Sequence, residues 1–261
     1  MKKFELTSET KINIFGKKLF RIKALISFGV VKTGETGGWV EKEENVNQSG
    51  NAWVFGNAEV FGNAEVFGNA EVSDNAWVFG NARVFGNARV SGNARVFGNA
   101  EVSDNARVFG NARVFGNAWV SGNARVFGNA RVSGNARVFG NAEVFDNARV
   151  FDNARVFDNA RVSGNAEVSG NAEVSDNAWV FDNARVFGNA DYATIHGFGT
   201  QFRTTTFFRC KDKQVKVSCG CFYGTIPEFC EQVKNTRKGK IAEEYLMIAD
   251  LMEKHFAEEA K

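Results

Sequence analysis

The sequence predicts an all-β solenoid: a triangular parallel β-helix of about eight coils, closed by a small cap at each end. The prediction rests on a six-residue phrase, Asn-Ala-x-Val-Phe/Ser-Gly/Asp, that fills residues 51–188 in 23 consecutive copies without an insertion or deletion. Within each copy Ala and Val are two positions apart, and each copy ends in a residue that favours turns. A short, strict period of this kind specifies a stacked repeat architecture.

The Ala and Val of each hexad share one face of a short strand, because side chains two residues apart in a strand point the same way. The x position holds Arg twelve times, Glu seven times and Trp four times, and so many charged side chains cannot fill an interior. We therefore expect Ala and Val to point inward, and the x residue and the Phe or Ser to point outward.

The Gly-Asn or Asp-Asn pair predicts a corner, because these residues adopt positive φ at low cost. Three sides of six residues close a coil of 18 residues, and parallel strand pairing stacks the coils about 4.8 Å apart. The 23 hexads then form roughly 7.7 coils. The corner Asn side chains are expected to form amide ladders along the axis.

The flanks predict caps, which a solenoid needs because its terminal strands have unpaired edges. Residues 1–50 contain an alternating stretch that indicates a hairpin, followed by an entry coil with Val40 and Val46 six positions apart. The repeat domain is assigned to residues 51–194.

Residues 195–261 predict an α+β cap made of a hairpin and two helices. The hairpin is expected to turn at Asp212–Lys213. Thr225 is followed by a proline and by a glutamate three positions later, which is typical of a helix start. A second helix is predicted from about Ala242.

Written from its valine, the hexad Val-Phe/Ser-Gly/Asp-Asn-Ala-x resembles the hexapeptide repeat of left-handed parallel β-helix proteins, with an aliphatic residue first and a small residue fifth. The resemblance covers residues 51–188 and implies a left-handed coil. The flanks GETGGWVEKEENV and TTTFFRCKDKQVKVSCGCFYGT are similar to those of hexapeptide-repeat proteins from bacteria and their phages, some labelled acetyltransferase-like. This similarity is consistent with a phage- or prophage-encoded chain.

The resemblance implies acyl transfer from acyl-CoA, which family members perform with a histidine base on or beside a coil. The 23 hexads contain no histidine, no cysteine and no interrupting loop. His196, just beyond the last hexad, is the remaining candidate for the base, whereas His255 falls on the second predicted helix and is expected at the surface. An acyl-CoA-dependent acyltransferase is therefore the alternative function, and its CoA site would lie between neighbouring prisms of an oligomer.

Four cysteines, Cys210, Cys219, Cys221 and Cys230, raise the question of a zinc site. In a hairpin that turns at Asp212–Lys213, Cys219 lies opposite Thr206, more than about 10 Å from Cys210 and too far for one tetrahedral site. We expect no metal and ordinary buried thiols.

The outer surface predicts an interaction face. Taking every eighteenth residue places four outward phenylalanines in one column, and stacked rings of this kind form a continuous apolar ridge. Two explanations remain open: a ladder that stabilises the prism itself, with Arg side chains stacked on the rings, or a contact surface for another molecule. The residues predicted for the binding surface are Phe61, Phe79, Phe97, Phe115, Arg95 and Arg113.

The charge balance argues against nucleic acid and membrane partners. The formal charge of the chain is +2, and the repeat has a net charge of −2 because seven Glu and seven Asp oppose its twelve Arg. The N-terminus has no apolar segment typical of a signal peptide, and the repeat contains no cysteine, so a cytoplasmic location is expected.

Near-identity among 23 units favours a non-enzymatic scaffold or protein-interaction module without a cofactor, because a catalytic site needs a few unique residues held in one geometry. The expected partners are a second protein or further copies of the chain, as a dimer or trimer.

Overall fold

In the computed structural model, which describes residues 2–257, the repeat forms a parallel β-solenoid of about eight coils. Each hexad contributes one two-residue strand, made of the x residue and Val. These strands are β4–β26 at six-residue intervals: β4 is Trp53–Val54, β5 is Glu59–Val60, β6 is Glu65–Val66, and the series continues to β26, Arg185–Val186. Each strand pairs in parallel with the third strand after it, so that three sheets enclose a prism and the predicted fold class is confirmed.

We name the three sides by their first strands: side one begins at β4, side two at β5 and side three at β6. Paired residues are 18 apart, as Arg95 and Arg113 are on side two. The backbone joins neighbouring coils at each pair: the N–H of Arg95 donates to the carbonyl of Ala112 at 2.9 Å, and that of Phe97 to Val114 at 3.0 Å. Every side is thus a continuous ladder along the prism axis.

The interior consists of the Ala and Val side chains, all of which are at most 1 % exposed. This confirms the predicted inward face. Valine suits a short strand because its branched side chain packs on a pleated surface, and alanine leaves room for the chain to turn near each corner.

The corners use left-handed backbone throughout. The Gly or Asp of the first 22 hexads has φ between 56° and 75°, which is the region that Gly, Asn and Asp tolerate best. The Asn that follows donates from its Nδ2 to the Oδ1 of the Asn 18 residues later, at 2.9–3.5 Å, in three ladders of seven residues each. The predicted amide ladders are therefore present on all three edges of the prism.

The N-terminal cap is the predicted hairpin, formed by β1 (Phe4–Ile12) and β2 (Lys18–Ala24). Strand β3 (Thr36–Val40) pairs antiparallel with β2 and parallel with β5, so that the cap extends the sheet of side two. Val40 pairs with Val60 and Val46 bridges to Val66, one coil further on, as the predicted entry coil requires. A short 3-10 helix, Glu43–Asn45, joins the two.

The N-terminal end of the interior is sealed by aromatic rings and a buried cation. Phe4 and Phe28 meet the ring of Trp53 edge-on, with centroids 5.8 and 5.4 Å away. Lys3 is 2 % exposed, its Nζ donates to the carbonyl of Ala52 at 2.9 Å, and it lies 4.7 Å from the centre of the Phe28 ring. Burial lowers the pKa of Lys3 to about 8.

The buried lysine predicts a pH dependence of stability. Its pKa is about 10.5 in the unfolded chain and about 8 in the folded one, so the unfolded state binds more protons between these values and the free energy of unfolding rises with pH there. The Lys3 contribution is expected to increase by about 2 kcal/mol between pH 7 and pH 9.5. The measurement is urea unfolding across this range in the wild type and in Lys3→Met. The prediction is wrong if the difference in the free energy of unfolding between the wild type and Lys3→Met does not change with pH.

The C-terminal cap contains an antiparallel sheet of four strands in chain order, β27 (Tyr192–Phe198), β28 (Arg203–Arg209), β29 (Val215–Cys219) and β30 (Phe222–Thr225). The predicted hairpin is its central pair, β28–β29. Helices α1 (Ile226–Thr236) and α2 (Gly239–Phe256) follow and share an apolar core with the sheet. The core residues are Phe207, Val217, Ile226, Phe229, Val233, Tyr245, Ile248, Ala249, Met252 and Phe256.

Two details of this cap differ from the prediction. Cys219 pairs with Thr205 instead of Thr206, because the turn has three residues: the N–H of Cys210 donates to the carbonyl of Gln214 at 2.9 Å, and Lys213 adopts φ of 66°. Helix α2 begins at Gly239, three residues before the predicted start. The predicted cap of α1 is correct, since the side chain of Thr225 accepts from the N–H of Glu228 at 3.4 Å.

The C-terminal cap closes the other end of the prism. Phe208 is fully buried within the prism core, and Cys210 bridges to Ala184 of the last coil. The hydroxyl of Tyr223 donates to Asp182 at 2.6 Å, and burial raises the pKa of this tyrosine. Neither helix in the described residues 2–257 has the length and apolar character needed to span a bilayer.

Candidate binding face

The predicted ridge of stacked phenylalanines is present on side two. The rings of Phe61, Phe79, Phe97 and Phe115 are parallel within 3°, with successive centroids 4.9–5.0 Å apart. The spacing follows from the coil repeat, because identical positions in stacked coils lie one strand spacing apart. The ridge is interrupted at Ser133 and resumes at Phe151.

The N-terminal hairpin covers the first part of this ridge. Phe15 lies at the tip of the hairpin, and its ring centroid is 5.5 Å from that of Phe61 and 5.4 Å from that of Phe79. Phe61 is only 4 % exposed. Lys11 anchors the tip through an ion pair of 2.8 Å with Glu59. Phe61 and Phe79 therefore both help to attach the cap, and the part of the ridge that the hairpin leaves uncovered begins at Phe97.

On the other two sides most outward arginines are held by neighbours in the same chain; Arg107 on side one is the exception among the described residues. On side three, the guanidinium of Arg83 lies 5.1 and 5.3 Å from the rings of Phe67 and Phe85 and pairs with Glu101 at 3.4 Å. Arg125 on side one has the same arrangement, with Glu143 at 2.9 Å. A glutamate one coil away holds the arginine along the axis, where it covers the rings. On these sides, the stabilising ladder is the better explanation.

Side two differs because four arginines follow one another without a carboxylate between them. Arg95 stacks on Trp77 at 4.4 Å, and Arg149 pairs with Glu167 at 3.4 Å. Between them lie Arg113 and Arg131, both exposed; within residues 2–257 neither has an acidic group within 4 Å or a ring beneath its guanidinium. Because these two guanidinium groups have no acidic partner and repel each other across one coil, an external anion would stabilise them.

The histidine considered for acyl transfer lies away from this face. His196 is exposed on β27, and its Nδ1 is 3.3 Å from the hydroxyl of Thr204. It borders an open depression whose other walls include Trp179, Gln201 and Arg203.

The cysteines occupy different environments in the C-terminal cap. Cys210 is buried, and burial raises the pKa of its thiol to about 11. Cys219 and Cys230 are half-buried, and the hydroxyl of Thr205 is 3.1 Å from the Cys219 sulfur. The expectation of buried thiols is wrong for Cys221, which is exposed because it lies in the tight turn between β29 and β30. Within residues 2–257, no three His, Cys, Asp or Glu side chains converge as metal ligands would.

Two tryptophans form contacts that were not anticipated from the sequence. The indole N–H of Trp119 donates to the hydroxyl of Ser103 at 3.1 Å, and that of Trp179 donates to Ser163 at 3.2 Å. In both pairs the Trp is 16 residues after the Ser. Each indole thereby occupies a place in the outer column where a phenylalanine ring is missing, and the serines are only 2 % and 4 % exposed.

The prism is similar to one described repeat family. The profile described as YdcK Beta solenoid repeat matches residues 88–104, 106–122, 118–132, 130–144, 148–164 and 154–170. All of these stretches lie within the solenoid, in agreement with the fold. No curated protein matches the chain significantly.

Proposed function

We propose that this chain is a non-enzymatic interaction module that binds an acidic protein partner through side two of its prism. The observation that carries the proposal is the pairing of two stacked, half-buried rings that the cap does not cover, Phe97 and Phe115, with two exposed arginines, Arg113 and Arg131, that have no acidic partner in the described chain. Aromatic and arginine side chains dominate the energetics of protein interfaces, and contiguous apolar patches at a protein surface mark contact sites.

The charge of the face selects the partner. Four successive arginines, from Arg95 to Arg149, lie about 4.8 Å apart along the axis and create a positive strip. A protein surface that presents carboxylates beside apolar side chains complements both features, and its association is expected to be accelerated at low salt. A second copy of this chain is the competing occupant, and the mass of the free protein distinguishes the two.

The test is the double variant Phe97→Ser, Phe115→Ser, which removes two rings while keeping a residue that eight hexads already carry at this position. Binding to the partner is expected to weaken at least tenfold. The matched control is Phe139→Ser, Phe157→Ser, which removes an equally stacked pair on side three, with rings 5.0 Å apart.

The immobilised protein is exposed to extracts of the cell that produces it, and captured proteins are compared by mass spectrometry among wild type, variant and control. A protein lost only with the side-two variant supports the proposal. Equal losses with both variants, or with neither, count against it. A multiple of the chain mass in light scattering that falls to one chain in the side-two variant would instead identify self-association.

A further inference from the structure

The outer columns contain gaps, and two of them are occupied by tryptophans of the chain itself. On side one the column runs Phe145, Ser163, Phe181, so that one ring is missing. The indole of Trp179 occupies the gap, with its ring 4.7 Å from Phe181 and its N–H on the Ser163 hydroxyl. Arg161 lies 5.0 Å from the indole ring. A single missing ring therefore accommodates an indole between a serine hydroxyl and an arginine.

The same arrangement of two phenylalanines on either side of a serine recurs on side two, but no indole occupies the gap there. The column there runs Phe115, Ser133, Phe151, and the residue 16 positions after the serine is Arg149 in place of tryptophan. Arg149 pairs with Glu167 along the axis, at 3.4 Å, so that it borders the gap without filling it. The result is an open slot of about 270 Å³ between Phe115 and Phe151. Ser133 at its base is half-exposed, whereas Ser163 is 4 % exposed.

The walls of the slot match a planar aromatic group that carries or adjoins an anion. Its two phenylalanine rings are two coils apart, about 10 Å, which leaves the thickness of one stacked ring between them. Arg131 borders the slot at the position that Arg161 holds beside Trp179, and Arg131 has no carboxylate within 4 Å among the described residues. Asp152, also at the edge, accepts from the N–H of Gly170 at 3.3 Å.

We propose that this slot binds a tryptophan side chain of the acidic partner, with the indole N–H on the Ser133 hydroxyl and a neighbouring carboxylate on Arg131. The inference rests on the proposed function, since the slot lies on side two and continues the open ridge. A partner side chain suits it better than a free small molecule does, because small-molecule sites enclose most of their ligand and this slot is open along one face. A single buried tryptophan is a common anchor of a protein interface.

The experiment uses two short peptides that contain 5-fluorotryptophan, one flanked by aspartates and one by lysines, observed by fluorine NMR with the full chain. The aspartate peptide is expected to shift and broaden on addition of the wild-type protein, and the lysine peptide to bind at least tenfold more weakly. Equal binding of the two peptides would overturn the role of Arg131. Absence of binding at millimolar peptide would overturn the slot itself.

Two variants close the slot by different means. Ser133→Phe completes the column with the residue that fifteen hexads carry at this position, and Arg149→Trp reproduces the internal indole seen at Trp179. Both are expected to reduce binding of the aspartate peptide at least tenfold. Ser91→Phe on side one is the control and is expected to leave it unchanged. If both slot variants bind as the wild type does, the site is elsewhere.

The two proposals fail in distinguishable ways. Ser133→Phe retains the stacked rings of Phe97 and Phe115, so partner capture that survives in this variant, together with unchanged peptide binding, rejects the slot alone. Phe115 is also a wall of the slot, so the single variant Phe97→Ser separates the two proposals. Partner capture and peptide binding that both depend on Ser133 but are insensitive to Phe97→Ser reject the ridge and retain the slot.

Discussion

Replacing Gly116 with valine is expected to destabilise the prism by about 3 kcal/mol, the largest effect of any single corner substitution proposed. Gly116 has φ of 74°, where a β-branched residue is strained. A Cβ at this position would also lie 3.0 Å from the backbone nitrogen of Gly134 in the next coil. Strain and crowding therefore add, and neither can relax without separating two coils.

The matched control is Gly116→Asp, which introduces a Cβ at the same place. Seven hexads carry Asp at this position with φ of 56–60°, and Asp104 Oδ2 accepts the N–H of Gly122, one coil further on, at 3.0 Å. The aspartate is expected to cost less than about 1 kcal/mol, because the hydrogen bond offsets part of the strain. Urea unfolding of the three proteins measures both changes. Equal losses for valine and aspartate would show that the conformational argument is wrong.

Removal of residues 2–35 is expected to convert the protein into assemblies of many copies. The deletion removes the hairpin that pairs with β3 and leaves that strand as an exposed edge. It also uncovers the ring of Trp53, which is fully buried against Phe4 and Phe28. An unpaired edge beside an apolar end is a template for strand addition, which solenoid caps normally prevent.

Sedimentation velocity across a range of protein concentrations measures this effect, with the full chain as reference. The control is Ile12→Ser, Ile14→Ser, which removes two side chains that are 74 % and 76 % exposed and leaves the hairpin paired. The control is expected to sediment as the full chain does. A truncated protein with the same sedimentation coefficient as the full chain would contradict the capping role of the hairpin.

The prism was predictable from the sequence because one rule, repeated 23 times, determines every coil. Inward Ala and Val, positive φ at the corners and the amide ladders all follow from the chemistry of the hexad. Counting by 18 likewise predicts which phenylalanines stack. The same count reveals the uninterrupted arginines of side two and the gap at Ser133, although their significance depends on where each guanidinium turns.

The unique parts of the chain were less predictable. Strand β27 has no alternation of exposed and buried residues, so its sequence does not indicate a strand. The position of Phe15 over Phe61 depends on how the hairpin folds back across the prism, which local sequence does not determine. Lys3 violates the rule that lysines stay in water, and only the packed structure supplies its carbonyl acceptor. The hairpin register was missed because Lys213 permits a three-residue turn.

Because the prism has three sides, the number of hexads determines how the C-terminal cap is rotated about the prism axis relative to the N-terminal cap. Inserting three hexads would move the C-terminal cap about 4.8 Å along the axis and keep its orientation, whereas inserting one hexad would rotate it by about a third of a turn. Inserting a single hexad would also move every later hexad to the next side. The arginines that follow the insertion would then continue the column of a different side from the one they continue now. The number of hexads, taken modulo three, therefore sets which surface of the C-terminal cap faces the same direction as side two.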